Sequence, residues 1–261
     1  MTDSSDTTDQ AKVSSDTATD ARIAALEAQV LALRQEMQDF SYTVSHDLRA
    51  PLRHIVSFAH LVQEDAGPLL NEEVQGFLKT ITDSARHMGV LLDGLMELSR
   101  AGTVPLHIET VDLRTLLLDV VEEVKFKYAS RTIDWQIDPP LPEVLVDEKL
   151  LRQALLQVLD NAAKFTSTQE AAQVVVACET KKSSDAGNQV VLEVRDNGVG
   201  FNSALSKQLF HPFQRLHSQQ QFAGIGMGLA LARKQLARMG GTITAQAEVG
   251  QGCTVQLTLP A

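Results

Sequence analysis

The sequence predicts two fold classes in succession: α, as a helical hairpin that pairs into a dimeric four-helix bundle, then α/β, as a sandwich of helices on a sheet. Three observations carry this. Apolar residues step by three and four through residues 23–95, short β-branched runs alternate with helical periods from Val111 onward, and nine of the 15 glycines lie between Gly198 and Gly252. The first pattern is that of paired helices, the second of an α/β layer structure, and the third marks loops that need bare backbone.

Composition bounds the rest. A chain of 261 residues, 44% hydrophobic, suits one or two domains with a packed core. The net charge of -10 argues against a nucleic-acid partner or an anionic membrane surface, which reward clustered Lys and Arg. Cys178 and Cys253 stand far apart in strand-like runs, with neither metal-ligand spacing nor a disulfide framework, so a reducing, cytoplasmic location is expected. No apolar run is long enough to span a membrane, and the N-terminus lacks the regions of a signal peptide.

Taken in order, residues 1–20 read as a disordered acidic tail, because 14 of the 20 are Asp, Ser or Thr. Residues 21–104 form the helical unit. Ile23, Leu26, Val30, Leu33, Met37, Phe40 and Val44 make a heptad seam of about three repeats, the lead-in of a dimeric coiled coil. An amphipathic helix lying on the chain's own globular part is the alternative. Beyond Val44 the seam runs Leu48, Leu52, Ile55, so two steps of four occur in succession. Such a stutter unwinds a supercoil locally. His46 falls off the seam here and faces outward, and Pro51 removes a backbone donor, so local unwinding or a kink is predicted between Val44 and Leu52. Gly67 and Pro68 break the helix, and Val74, Leu78, Ile81, Ala85, Met88, Leu92 and Leu95 then mark an antiparallel partner.

Residues 105–261 form the α/β unit. Asp112 caps a helix to about Tyr128, a strand spans 132–137, and prolines 139, 140 and 142 punctuate a loop. A helix covers about 148–165, strands cover 173–179 and 189–195, and a helix from about Met227 to Met239 precedes strands at 242–247 and 253–259. On the helix at 148–165, with Gln157 set at zero, Asn161 falls near +40° and Lys164 near -20° by the helical rotation of about 100° per residue. Leu155, Leu156, Val158, Leu159, Ala162 and Ala163 take the remaining arc. A solvated face is the bland explanation of that polar stripe. An amide and an ammonium one turn apart are also what a magnesium-bound polyphosphate needs. Asp196-Asn197-Gly198-Val199-Gly200 ends a strand, where a carboxylate can accept from an exocyclic amine such as adenine's. Gly224, Gly226 and Gly228 open a helix whose amides suit phosphates. Residues 201–223 between these clusters read as a lid, with Phe210 and Phe213 as hydrophobic pins and Arg215 as a phosphate contact.

Placed side by side, these segments resemble the transmitter core of a bacterial sensor histidine kinase over residues 21–261. His46 to Leu52 (HDLRAPL) is similar to the phosphoacceptor box, Asp160 to Thr166 (DNAAKFT) to the N box and Asp196 to Gly200 (DNGVG) to the G1 box. Leu209 to His217 resembles the F box, and Gly224 to Leu229 the G2 box. The surroundings of His46 look most like kinases associated with phytochrome-type photosensors. The resemblance implies ATP and Mg2+ as ligands, His46 as phosphoacceptor and Asp47 as its base or orienting acid. It implies Asn161 for magnesium, Lys164 and Arg215 for phosphates, Asp196 and the Gly198–Gly200 turn for adenine, and Gly224, Gly226, Gly228 and Leu229 for the phosphate tail. It further implies a homodimer through the hairpin and an acceptor aspartate on a separate response regulator, since no receiver-like segment follows in this sequence. Only the tail and about three heptads precede His46, so two origins of the signal stay open: an upstream sensor protein, or a larger sensor of which this chain is a part.

Two positions depart from the family pattern. Gln157 stands where the N box usually begins with Asn or an acid, so contacts there differ. Ala50 stands four residues after His46, where kinases that also dephosphorylate their regulator often carry Thr or Asn, so weak phosphatase activity is expected. Two rival readings share parts of the pattern: an ATPase like gyrase, Hsp90 or MutL, and a dimeric phosphotransfer scaffold with a dead nucleotide site. The hairpin carrying His46 argues against the first, and the intact Asn161, Asp196 and glycine series against the second.

Overall fold

In the computed structural model, residues 6–102, 105–183, 187–218 and 220–260 are described. Helix α1 runs Asp6–Ala66, a 3-10 turn Gly67–Leu69 reverses the chain, and α2 runs Glu72–Arg100. The Asn71 side chain accepts from Val74 N at 2.9 Å, and Glu72 and Glu73 lie in the first turn, so α2 starts with its cap and favourable charge in place. The two helices pack on each other, and the residues buried in them are small but for one methionine: Ser41, Ser45 and Ala59 on α1, and Thr82, Ala85, Gly94 and Met96 on α2.

Two expectations for α1 are corrected. Residues 6–20 continue the helix rather than forming a disordered tail; residues 1–5 lie outside the described residues. Nucleation is the costly step of helix formation, and the seam downstream supplies the nucleus, so extension back through a Ser/Thr/Asp run costs little per residue. Nor does the helix unwind between Val44 and Leu52, since it is unbroken through Pro51; the other expectation, a kink, is a change of axis direction that a continuous helix allows.

The second unit is a two-layer sandwich. Strands β1 (Glu109–Asp112) and β3 (Glu143–Val146) form a small antiparallel pair that the sequence pattern does not announce. Strands β2 (Ile133–Ile137), β4 (Ala172–Ser183), β5 (Gly187–Asp196), β6 (Thr242–Glu248) and β7 (Gly252–Pro260) make the main sheet, in the order β2-β4-β5-β7-β6. The β2–β4 pair is parallel and the others are antiparallel. Helices α3 (Leu113–Lys127), α4 (Glu148–Phe165) and α5 (Gly228–Arg238) supply the helical layer, and Leu117, Leu155, Leu159, Leu192, Leu236 and Leu257 are fully buried in the shared core. Asp112 caps α3 by accepting from Arg114 N, as its position predicts. The helix-hairpin-then-sandwich architecture predicted from the sequence is the one observed.

Candidate nucleotide site and phosphoacceptor

Helix α4 builds the wall of the site. Its Asp147 cap accepts from Leu150 N at 3.1 Å and also from His107 N at 2.9 Å, which ties the interdomain segment to the helix start. With Leu151, Leu155, Val158 and Leu159 turned into the core, the opposite stripe carries Gln157, Asn161 and Lys164. Lys164 Nζ donates to Asn161 Oδ1 at 2.7 Å and lies 4.6 Å from the centre of the Phe165 ring. Burial pulls the Lys164 pKa down, opposed by nearby Asp160, so this ammonium is poorly solvated and suited to an anion.

At the end of β5, Asp196 is almost wholly buried, and its Oδ1 accepts from Gly198 N at 2.8 Å. Burial pushes its pKa up to about 6, against the lowering effect of backbone donors from Gly198 and Cys253. Behind it the turn is crowded: Gly200 has φ +58°, and a β-carbon there would stand 2.0 Å from Glu248 O. Gly226 is similar, with φ +75° and Gln214 O at 2.4 Å from a β-carbon position. Neither position accepts another residue without moving the backbone.

Asn161, Lys164, Asp196, Gly200, Arg215, Gly224, Gly226 and Leu229 line one cavity. Three predicted residues do not. Gln157 lies against Gly228, its Oε1 2.4 Å from where a β-carbon would be, and Gly198 is pressed against Phe165 O; these shape the wall from behind. The cavity is about 100 Å3, below the roughly 300–1,000 Å3 of typical ligand pockets. Aromatic side chains of the lid account for this: Phe222 packs 4.9 Å from Phe165 and 5.3 Å from His217, ring centre to ring centre.

The lid differs from expectation in its pins. Residues 203–210 form a 3-10 helix, and Phe210 packs against the core. Phe213 does not serve as a pin: it sits at φ +63° in a turn that leaves it 39% exposed. Phe201 and Phe222 are the buried aromatics instead. Arg215 Nη2 donates to Phe222 O at 2.6 Å, and His217 Nε2 is 3.0 Å from Gly200 O. Sequence reasoning missed Phe165, His217, Phe222 and Cys253 as cavity residues. An apolar residue isolated in a polar run, as Phe222 is after three glutamines, was the available signal.

His46 and Asp47 lie elsewhere, on the exposed side of α1. The imidazole is 70% exposed, its Nδ1 is 3.1 Å from Asp47 Oδ1, and its ring stacks on Tyr42 at 6.3 Å. Arg49, Arg53 and Arg86 line a second cavity beside it.

An exposed histidine on a helical hairpin, joined to a sandwich whose polar stripe, buried Asp and glycine turns converge on one cavity, defines a protein-histidine kinase core. Comparison with known families agrees along most of the chain. Residues 36–103 match the His Kinase A (phospho-acceptor) domain, and residues 146–261 match the histidine kinase-, DNA gyrase B-, and HSP90-like ATPase. The chain belongs to the sensor histidine kinases, as a transmitter core. Among similar proteins, the non-motile and phage-resistance protein of Caulobacter vibrioides is 31% identical over 228 residues, which is 85% of this chain and 27% of that protein. Cyanobacterial phytochrome A of a Nostoc species is 28% identical, over 86% of this chain and 28% of its own. The methanogenesis regulatory histidine kinase FilI of Methanothrix harundinacea is 31% identical, over 89% and 25%. The chain therefore spans just over a quarter of the length of these relatives. The crystal structure of full-length ShkA in complex with AMPPNP aligns with a TM-score of 0.59 at 29% identity, covering 85% of this chain and 45% of that one. No described helix is long and apolar enough to cross a membrane.

Proposed function

We propose that this chain transfers the γ-phosphoryl group of ATP to His46 and then to an aspartate of a separate response regulator. The observation that carries it is the His46–Asp47 pair. With Nδ1–H donating to Asp47, the imidazole keeps its Nε2 lone pair free and outward. Nε2 attacks the γ-phosphorus in line, a P–N bond forms, the bond to the bridging oxygen breaks, and ADP leaves. Asp47 then stabilises the positive ring. Asp196 accepts from the adenine amine, Lys164 and Arg215 face the phosphates, and the Gly224–Gly228 amides hold the tail. Most of the rate gain in such a transfer comes from placement and charge neutralisation.

Magnesium fits the donor set. The described residues hold no cluster of three or more His, Cys, Asp or Glu side chains for a metal, whereas Mg2+ bound with a nucleotide takes few protein ligands and several phosphate oxygens and waters. Asn161 Oδ1 would be the protein ligand once Lys164 turns to phosphate, and the ion would supply charge neutralisation. The phytochromes among the relatives support the reading that a photosensor-type or other upstream protein provides the input.

The hairpin's other exposed faces support a homodimer. Phe40, Leu48, Ile55, Phe58 and Val62 on α1, and Val74, Phe77, Ile81 and Met88 on α2, are large, apolar and exposed. A second copy would bury them as a four-helix bundle. Incubation with γ-labelled ATP tests the main reading. Wild type should acquire acid-labile, base-stable label and pass it to the cognate regulator, and His46→Gln should acquire none. Label persisting on His46→Gln would refute the assignment.

A further inference from the structure

The part of α4 that carries Asn161 and Lys164 is gripped from outside the cavity by the end of α3 and the turn after it. Lys127 Nζ donates to Asp160 Oδ1 at 2.5 Å, and Tyr128 OH donates to the same oxygen at 3.1 Å. Lys127 also lies 5.5 Å from the centre of the Tyr128 ring, so the two donors stand together. Further along, Arg131 donates to Ala163 O at 2.9 Å and to the Thr166 hydroxyl at 3.4 Å. Ala163 O is among the last carbonyls of α4, which intrahelical donors do not reach, so Arg131 fixes the end of the helix. Asp160 itself does not line the nucleotide cavity.

That carboxylate is nevertheless a rival for Lys164. By the helical rotation of about 100° per residue, with Gln157 at zero, Asp160 falls near -60°, so Lys164 near -20° stands between Asp160 and Asn161 near +40°. Aspartate followed four residues later by lysine is the spacing of a helix ion pair. Here Lys164 instead donates to Asn161 Oδ1 at 2.7 Å, while Asp160 receives Lys127 and Tyr128. Once Lys164 leaves Asn161 Oδ1 to magnesium, two anions are within its reach: the phosphates in the cavity and the carboxylate one turn back. The Asp160 side chain is only 22% exposed, so water screens it little. A carboxylate already holding an ammonium and a phenol hydroxyl attracts a second ammonium less strongly, and the phosphates win.

We propose that Lys127 is a positioning residue for the nucleotide site: with Tyr128 it occupies Asp160 and so leaves Lys164 to the phosphates of ATP. This rests on the reading of Lys164 as a phosphate contact. Lys127 and Tyr128 belong to none of the five sequence boxes, and they act on the site only through Asp160.

The test titrates ATP with Mg2+, and separately adenosine, into the full chain as wild type, Lys127→Met, Asp160→Asn, these two combined, and Lys164→Met. Lys127→Met should weaken ATP binding about 2- to 5-fold, the range of a partly exposed ion pair, and leave adenosine binding unchanged, because only the phosphates meet Lys164. Asp160→Asn removes the rival charge, so the combined variant should bind ATP as tightly as Asp160→Asn alone. A loss just as large on adding Lys127→Met to Asp160→Asn would make Lys127 act on the nucleotide directly and overturn the proposal. A parallel loss of adenosine binding in Lys127→Met would make the contact purely structural and overturn it as well. Equal ATP affinity of wild type and Lys164→Met overturns the phosphate role of Lys164 and the proposal with it, whereas a weakened Lys164→Met beside an unaltered Lys127→Met overturns the role of Lys127 alone.

Discussion

The hairpin and the sandwich bury opposite kinds of residue. In the sandwich the largest fully buried side chains are leucines, from Leu113 to Leu259. In the hairpin the buried residues are Ser41, Ser45, Ala59, Thr82, Ala85, Gly94 and Met96, while phenylalanines and isoleucines stand in solvent. Small groups let α1 and α2 approach, but they bury little apolar area, and the hydrophobic effect scales with area. The sandwich is thus energetically complete as one chain, and the hairpin is half of something. The division leaves the α/β unit with a core of its own, whatever the hairpin pairs with.

The comparison makes graded predictions. The largest effect should come from Leu155→Ala, which opens a void in the sandwich core; it should lower unfolding free energy by about 2–5 kcal/mol in a denaturant titration. A loss under 1 kcal/mol would mean the core is less complete than its burial implies. Ile81→Asp on the hairpin should leave the sandwich transition unmoved yet shift the chain from dimer to monomer in sedimentation analysis. A dimer that survives this change would remove the exposed face as its basis. Next comes Asp196→Asn, expected to weaken ATP binding about 10- to 100-fold, the range of a hydrogen bond to a charged group.

The smallest effect is a pH dependence confined to the sandwich. Folding raises the Asp196 pKa to about 6, above the roughly 3.9 of an unfolded aspartate. Between these values the folded state binds more protons than the unfolded state, so stability falls as pH rises from 4 to 6 and the cost is in full force above 6. With Asp196 in its proposed role as acceptor for the adenine amine, nucleotide affinity should run the other way and drop as pH falls through 6. Asp196→Asn should flatten both trends, measured by thermal unfolding and by ATP titration over the same pH range.

How far the sequence revealed this follows from periodicity. The seam from Ile23 to Phe40 and the stripe Asn161–Lys164 were legible because a helix repeats its environment every three or four residues. Asp112 and the crowded glycines were legible because few residue types serve those positions. Strands β1 and β3, four residues each, are too short to show alternation. The aromatic fill of the cavity escaped for a different reason: Phe222 and His217 reach Phe165 through loop turns, and loops carry no period. Phe213 misled because a hydrophobic residue in a lid reads as a pin, whereas the turn's left-handed backbone leaves it partly exposed. The helix through residues 6–20 and past Pro51 reflects cooperativity, which local composition does not record.

The unbroken α1 makes the molecule a drive shaft. At a rise of about 1.5 Å per residue, its 61 residues extend roughly 90 Å, and His46 sits about 60 Å from the Asp6 end. A flexible link would dissipate a twist applied at that end; a continuous helix transmits it. The stutter beyond Val44 then acts as a phase converter, since an extra step of four advances the apolar stripe relative to a seven-residue repeat. Torque on the amino-terminal seam would reach His46 as a change of the compass direction it faces.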